Sequence, residues 1–552
     1  MTTTTVTQAR HAPSPASGKQ SSLAGTWVLL RFMLRRDRIR TTVWVLSLGV
    51  LGAYMAQAPK AYADNEAELH DMATLFADPV TRMMTGPGFG MDDPSFERMF
   101  SAAYVLMTYL VIALFSIFTV VRHTRVEEET DREELVRANV VGRHARLTAT
   151  LTLGVVANVI IAAIIFAGAA AEYSAEGSAL VAVGSLAVGL FFLAITAVTV
   201  QLSEASRGAS AMAGGVLALA YVIRMGGDAA EQGGNALSWF SPLAWTQQTA
   251  PYVEDRWWPL LLPFGCTVVF IWLGYFLSTK RDVGASLLHA RLGRAEAKPS
   301  LGTPLGLASH GLLGGLRGWG IGLILSGLLF GSFAQTMIDA ADDLPDDFAQ
   351  LFAGDDMMLG YLAYMGVFMA VLVAAAAVSG ITQLRIEESR GRAEYALSAP
   401  VGRSYWFGSH LTVLVVGVLL ILGLTGLGMG IGAVASLDEG GGEYFGQLFL
   451  ATFLQGSTVL AVIGIVAALF GWLPKAAGGV GWVIVGYGGI VAAFGGLLEL
   501  PDWAYDLNIF GHLAQYPVDD ISWAPILWLS LIGVVGITIG LLGFNRREVN
   551  RV

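Results

Sequence analysis

A single cysteine, Cys266, is all the thiol chemistry in 552 residues, so neither an intrachain disulfide nor a cysteine metal cluster can form. Charge is scarce as well: Asp, Glu, Lys and Arg make up only 14% of the chain, and Lys occurs only at 19, 60, 280, 298 and 475. The eight His are scattered without an H-E-x-x-H pair, and no G-x-S-x-G elbow is present, which leaves hydrolytic chemistry without its residues. A phosphate-cradling G-x-x-x-x-G-K-[ST] loop is missing too. The sole Gly-Lys, Gly18-Lys19, is followed by Gln in a Thr/Ser/Pro-rich tail. The chain is expected to be no enzyme by itself, with no catalytic residues, no metal site and no nucleic-acid partner. Residues 1–22 hold no apolar core, which excludes a signal peptide and reads as a disordered cytoplasmic tail.

What is abundant is apolar surface: 54% hydrophobic residues and 67 glycines, a composition suited to helices packed closely in lipid. Twelve apolar runs are long enough to span a bilayer, at about 41–58, 101–121, 147–170, 178–202, 208–226, 258–278, 318–338, 360–382, 408–435, 445–470, 476–498 and 522–544. The expected fold is an all-α polytopic membrane protein. Residues 23–40 carry five Arg and one Asp, and 279–320 carry six bases and two acids. Residues 59–99 hold eight acids against three bases, and 339–356 hold seven Asp and no base. The positive-inside rule then places both termini in the cytoplasm of a bacterial cell and the acidic loops outside. The stretches 23–40 and 307–319 read either as elbow helices lying in the interface or as plain flanking charge.

The charged segment RVEEETDREELVRANVVGR (125–143) aligns without a gap to RIEESRGRAEYALSAPVGR (385–403). Each half also ends alike, in Lys280-Arg281-Asp282-Val283 and Arg546-Arg547-Glu548-Val549. The chain therefore reads as two parallel six-span repeats, 23–283 and 303–552, joined by a linker at 284–302. Glu128 with Arg132 and Glu388 with Arg392 form i,i+4 pairs of favourable orientation, and Ala399-Pro400 limits the second helix. Such a segment is either a solvated loop or a lever for a cytoplasmic partner; its recurrence favours the lever.

Glu387, Gly391, Glu394, Pro400, Val401 and Arg403 fall in a pattern that resembles the signature loop of type-2 ABC export permeases. The first half keeps Glu127, Glu134, Val141 and Arg143 but has Asp131 for the Gly and Val140 for the Pro. The fused double-length form looks most like actinobacterial permeases for tetronasin or polyketide antibiotics. The resemblance implies coupling to two copies of a separate ABC ATPase subunit, which would carry the ATP and Mg, through Glu127, Glu128, Arg132, Glu134 and Arg143 and through Glu387, Glu388, Arg392, Glu394 and Arg403. It also implies a pathway for a small amphiphilic substrate between the second and fifth spans of each half. Candidates there are Tyr104, Met107, Phe115, Met212 and Tyr221, with Tyr361, Tyr364, Phe368, Met369, Trp482 and Tyr487; the alternative for each is packing against neighbouring helices or membrane lipids. Arg224 and Asp228, i and i+4, read as an interfacial anchor at the outer end of span 5 or as part of a polar route. The expected function is that of an ATP-driven efflux permease for drugs or antibiotics. Export of an envelope lipid or glycolipid and secondary active transport are the alternatives.

Overall fold

The computed structural model describes residues 21–62, 66–130, 141–281, 285–288, 295–335, 357–437, 441–494 and 501–547. Among them every regular element is a helix, and eleven helices are long and apolar enough to cross a membrane. Helices suit lipid because each satisfies its own backbone hydrogen bonds. The chain is an all-α polytopic membrane protein. Eleven of the twelve expected spans fall on these helices, and the first falls on an 18-residue helix, Arg38–Met55.

Two compact units result: Met1–Ala61 with Arg82–Arg291, and Tyr62–Thr81 with Leu292–Val552. Residues 62–81, expected in the first half, group with the second unit.

The first unit contains α1 (Thr26–Arg36), α2 (Arg38–Met55), α3 (Phe96–Glu129), α4 (Ala145–Ala170), α5 (Ala175–Leu202), α6 (Ser206–Ala230) and α7 (Trp258–Ser278). α5 is its axis, with Phe192, Leu193 and Ala194 fully covered. α1 is an elbow: Leu29, Leu30 and Met33 pack against Ala145, Ala149 and Leu153 of α4, while Trp27, Val28 and Phe32 stay exposed. Asp37 leaves helical geometry between α1 and α2, where its side chain is drawn to Arg122 of α3. Inside α3, residues Phe100–Tyr104 form a π-turn, a local widening that shifts the register of everything beyond it. Between α4 and α3, Asn158 donates to Ser116 Oγ (3.1 Å), a buried polar contact of the kind that fixes helix pairs in lipid.

The second unit contains α8 (Pro304–Gly331), α9 (Met357–Ser389), α10 (Arg392–Leu397), α11 (Arg403–Ser436), α12 (Tyr444–Trp472), α13 (Pro474–Phe494) and α14 (Trp523–Arg546). No separate elbow forms at 307–319, contrary to one expectation. Thr303 caps α8 by accepting from Gly306 N (3.1 Å), Pro304 opens its first turn, and the helix then runs unbroken to Gly331. α12 and α14 approach to backbone contact. A Cβ on Gly464 would lie 2.4 Å from Gly533 O, and one on Gly540 2.4 Å from Ala467 O.

Candidate coupling site and transport surface

In the first unit the charged segment begins where α3 bends at Thr124 (φ −120°, ψ −85°), and the turn Arg125–Glu129 follows. Glu128 accepts from Arg281 Nη2 at Oε1 (2.7 Å) and from Arg281 Nη1 at Oε2 (3.0 Å), and Arg125 Nη1 reaches Oε2 at 2.7 Å. Arg281 stands just past the end of α7. Its Nε also donates to Gln201 Oε1 near the end of α5 (2.5 Å). From the far end of the segment, Arg143 Nη2 donates to Thr279 O (2.8 Å) and Ser278 O (3.2 Å), satisfying carbonyls that the end of α7 leaves open.

The second unit repeats this latch. Arg547, just past the end of α14, donates through Nη2 to Glu388 Oε2 (2.8 Å) and through Nη1 to Oε1. Arg403 Nη1 donates to Arg547 O (2.7 Å). In place of a glutamine, the Arg547 guanidinium lies over Phe544 and Phe470, at 4.9 and 5.2 Å from the ring centroids. Thus Glu128, Arg143, Glu388 and Arg403 tie each charged segment to the end of its unit's last helix.

The expected Glu388–Arg392 pair does not form. α9 runs on through Ser389, Gly391 takes a left-handed conformation (φ 71°), and α10 starts at Arg392 in a new direction. Arg392 therefore meets Glu387 (3.0 Å), whereas Glu388 is claimed by Arg547. α10 ends at Leu397, before Pro400, and shows solvent Arg392 and Tyr395, the latter 76% exposed. Glu394 is half-buried on the same short helix. Arg132 and Glu134 lie outside the described residues, and so does the partner expected for Glu128 within its own segment.

The two segments differ in a second respect. Glu127 is buried and paired with Arg36 of the elbow (2.9 Å), and Asp37 accepts two bonds of 2.8 Å from Arg122. The Arg122 guanidinium, hydrogen-bonded to Asp37, holds that carboxyl below its ordinary range despite partial burial. Sequence reasoning missed Asp37, Arg36 and Arg122. The signal was one acid among five Arg in residues 23–40.

At the opposite end of the first unit, Arg224 and Asp228 are both fully buried and 2.8 Å apart, so the anchoring role expected for them is replaced by an internal one. Arg224 Nη1 donates to Arg82 O (3.3 Å), Arg82 Nε donates to Asp228 O (2.8 Å), and Ser238 Oγ donates to Asp228 Oδ1 (2.9 Å). The pair gathers the segments around 82 and 238 onto α6.

The candidate pathway residues divide by environment. Phe115, Tyr361 and Met369 are buried within their units. Tyr104, Met212, Tyr221, Tyr364, Phe368 and Tyr487 are half-buried, with Tyr364 stacked on Phe368 (6.4 Å) and Tyr104 at the end of the π-turn. Tyr221 donates to Met84 O (3.3 Å) and lies under the Arg224 guanidinium, and Tyr487 donates to Ala504 O. Met107 and Trp482 are exposed. No group of three or more His, Cys, Asp or Glu is placed to hold a metal among the described residues.

Apolar crossing helices, with ionic contacts concentrated at their ends, define a multi-pass membrane protein. The model for the C-terminal domain of the multidrug efflux system permease Rv1217c matches residues 29–277 and 301–545. Over 557 residues, covering 100% of both chains, the sequence is 34% identical to the multidrug efflux system permease protein Rv1217c of Mycobacterium tuberculosis (strain ATCC 25618 / H37Rv). The chain belongs to this family of multidrug efflux system permeases.

Proposed function

We propose that the chain is the membrane subunit of an ATP-driven exporter of hydrophobic or amphiphilic compounds, including drugs and polyketide-type antibiotics. The observation that carries this reading is the duplicated latch, Glu128–Arg281 and Glu388–Arg547, which joins each charged segment rigidly to a membrane-crossing helix. A push on such a segment is delivered to the helix without slack. Because the sequence has no phosphate-cradling loop, ATP and Mg belong to separate ABC ATPase subunits, one docking at each charged segment from the cytoplasm, where both termini lie. Arg392 and Tyr395 on α10 supply an exposed charge and an aromatic anchor for that contact.

Secondary transport fits less well. Asp228, a carboxylate buried at the end of a crossing helix, already has its charge matched by Arg224, which leaves it poorly suited to cycling an ion. The test is accumulation of a fluorescent amphiphile in cells lacking the chain, then complemented with wild-type or Tyr395→Ala protein. Export restored by wild type, reduced by Tyr395→Ala and abolished by ATP depletion with the proton gradient clamped supports the reading. Export that survives ATP depletion and collapses with the gradient overturns it.

A further inference from the structure

Beside the elbow, α2 and α3 flank a shallow, open crevice lined by Asp37, Arg40, Trp44, Phe118, Arg122 and His123, among others. Its charges are unevenly used. Arg122 spends Nε and Nη2 on Asp37, and Arg40 makes no hydrogen bond or ion pair among the described residues. With one carboxylate against two guanidiniums, the rim carries a net positive charge. His123 is only 2% exposed, its Nε2 stands 3.4 Å from Asp37, and its buried Nδ1 has no partner. The ring thus backs Asp37 from inside the protein, and the two guanidiniums are left to face an incoming ligand.

We propose that this crevice binds the headgroup of an anionic phospholipid. The phosphate sits between Arg40 and the free edge of Arg122, where guanidinium geometry suits phosphate oxygens. The occupant is a lipid rather than a free anion because the walls above the charges are apolar and open. Trp44 and Phe115 pack side by side (6.1 Å), with Phe118 exposed beside them and Leu51, seven residues on from Trp44 and so on the same face of α2, exposed beyond, as a start for an acyl chain. A lipid seated there touches Asp37 and Arg122, and through Arg36 it abuts the Glu127 turn. It is placed to steady the elbow against the first charged segment. The second unit has no counterpart of Asp37, since α8 runs straight through that position.

The test uses the full-length chain, delipidated in mild detergent and titrated with phosphatidylglycerol or phosphatidylcholine while bound lipid is counted by native mass spectrometry. Phosphatidylglycerol is expected to bind in preference to phosphatidylcholine. Arg40→Gln, at an exposed and unpaired residue whose loss leaves the fold intact, weakens that binding by about fivefold or more. Arg35→Gln, on the neighbouring elbow but outside the crevice, leaves it unchanged, and inorganic phosphate does not compete. Equal losses in Arg40→Gln and Arg35→Gln, or equal binding of the two lipids, would reduce the effect to general surface charge and overturn the proposal. Displacement of phosphatidylglycerol by inorganic phosphate would make this an anion site and overturn the lipid assignment.

Discussion

Arg281 closes on Glu128 through two hydrogen bonds, 2.7 and 3.0 Å long, across 153 residues of sequence. Arg547 makes the same closure on Glu388, across 159. Both carboxylates are nearly buried, at 9% and 7% exposure; removing Arg547 strands the Glu388 charge, whereas Glu128 keeps Arg125 as a second partner. The duplication makes the latch a property of the design rather than of one loop.

Glu388→Gln and Arg547→Gln are each expected to destabilise the protein by about 3 kcal/mol, the scale for an orphaned buried charge. The double variant should lose clearly less than the sum, because neither charge is then left alone. A double-mutant cycle on thermal unfolding in detergent checks this, and strict additivity would mean that the two groups do not interact.

Arg392 behaves differently, being about half exposed and paired with Glu387 among the described residues. Arg392→Gln should leave thermal stability within error of wild type yet reduce export. A fall in stability comparable to that of Glu388→Gln would place Arg392 in the latch rather than on a docking face.

Close helix contact in the second unit sets a steric limit. Gly540→Ala drives a methyl to 2.4 Å from Ala467 O on the facing backbone, with an expected cost of about 1–3 kcal/mol. Gly215→Ala, where nothing lies within 4 Å, should be neutral or slightly stabilising. Equal melting temperatures for the two variants would contradict the backbone contact of α12 with α14.

His144 gives the first unit a pH signature. Partial burial, with Arg143 nearby, lowers its pKa, and its Nδ1 lies 3.2 Å from Ser278 Oγ beside the latch. A depressed folded value means that the unfolded chain binds the proton more readily. Stability is therefore full above the unfolded value of about 6.5, declines as pH falls below it, and levels off beneath the folded value. His144→Gln should flatten that part of the profile; an unchanged slope would assign it to another group.

Much of this was legible in the sequence, for reasons that differ by feature. The spans follow from apolar length alone, which is why eleven of them coincide with crossing helices. The matching ends, Lys280-Arg281 and Arg546-Arg547, were visible as pattern, but their partners were not. Pairing across 153 residues has no local signal, whereas Glu388 and Arg392 sit at a spacing that suggests a pair. The left-handed turn at Gly391 breaks that spacing, and only the three-dimensional path reveals Arg547 as the stronger claimant. Asp37 was hidden by its neighbours, since five Arg suggested flanking charge rather than a single acid gathering Arg122 and Arg36. Phe115, Tyr361 and Met369 resisted assignment because aromatic and Met residues serve packing and lining equally well; burial separates them from the exposed Met107 and Trp482.

The central claim is that force enters this permease from an ATPase held in trans. The most direct test is to purify the tagged full-length chain from its native membrane, identify what accompanies it by mass spectrometry, and reconstitute the preparation in vesicles. The account predicts a Walker-motif ATPase at one copy per charged segment, dissociated by Tyr395→Ala together with Arg392→Glu, and amphiphile transport that follows ATP hydrolysis. A chain isolated alone that drives the same transport on a proton gradient without ATP would contradict it.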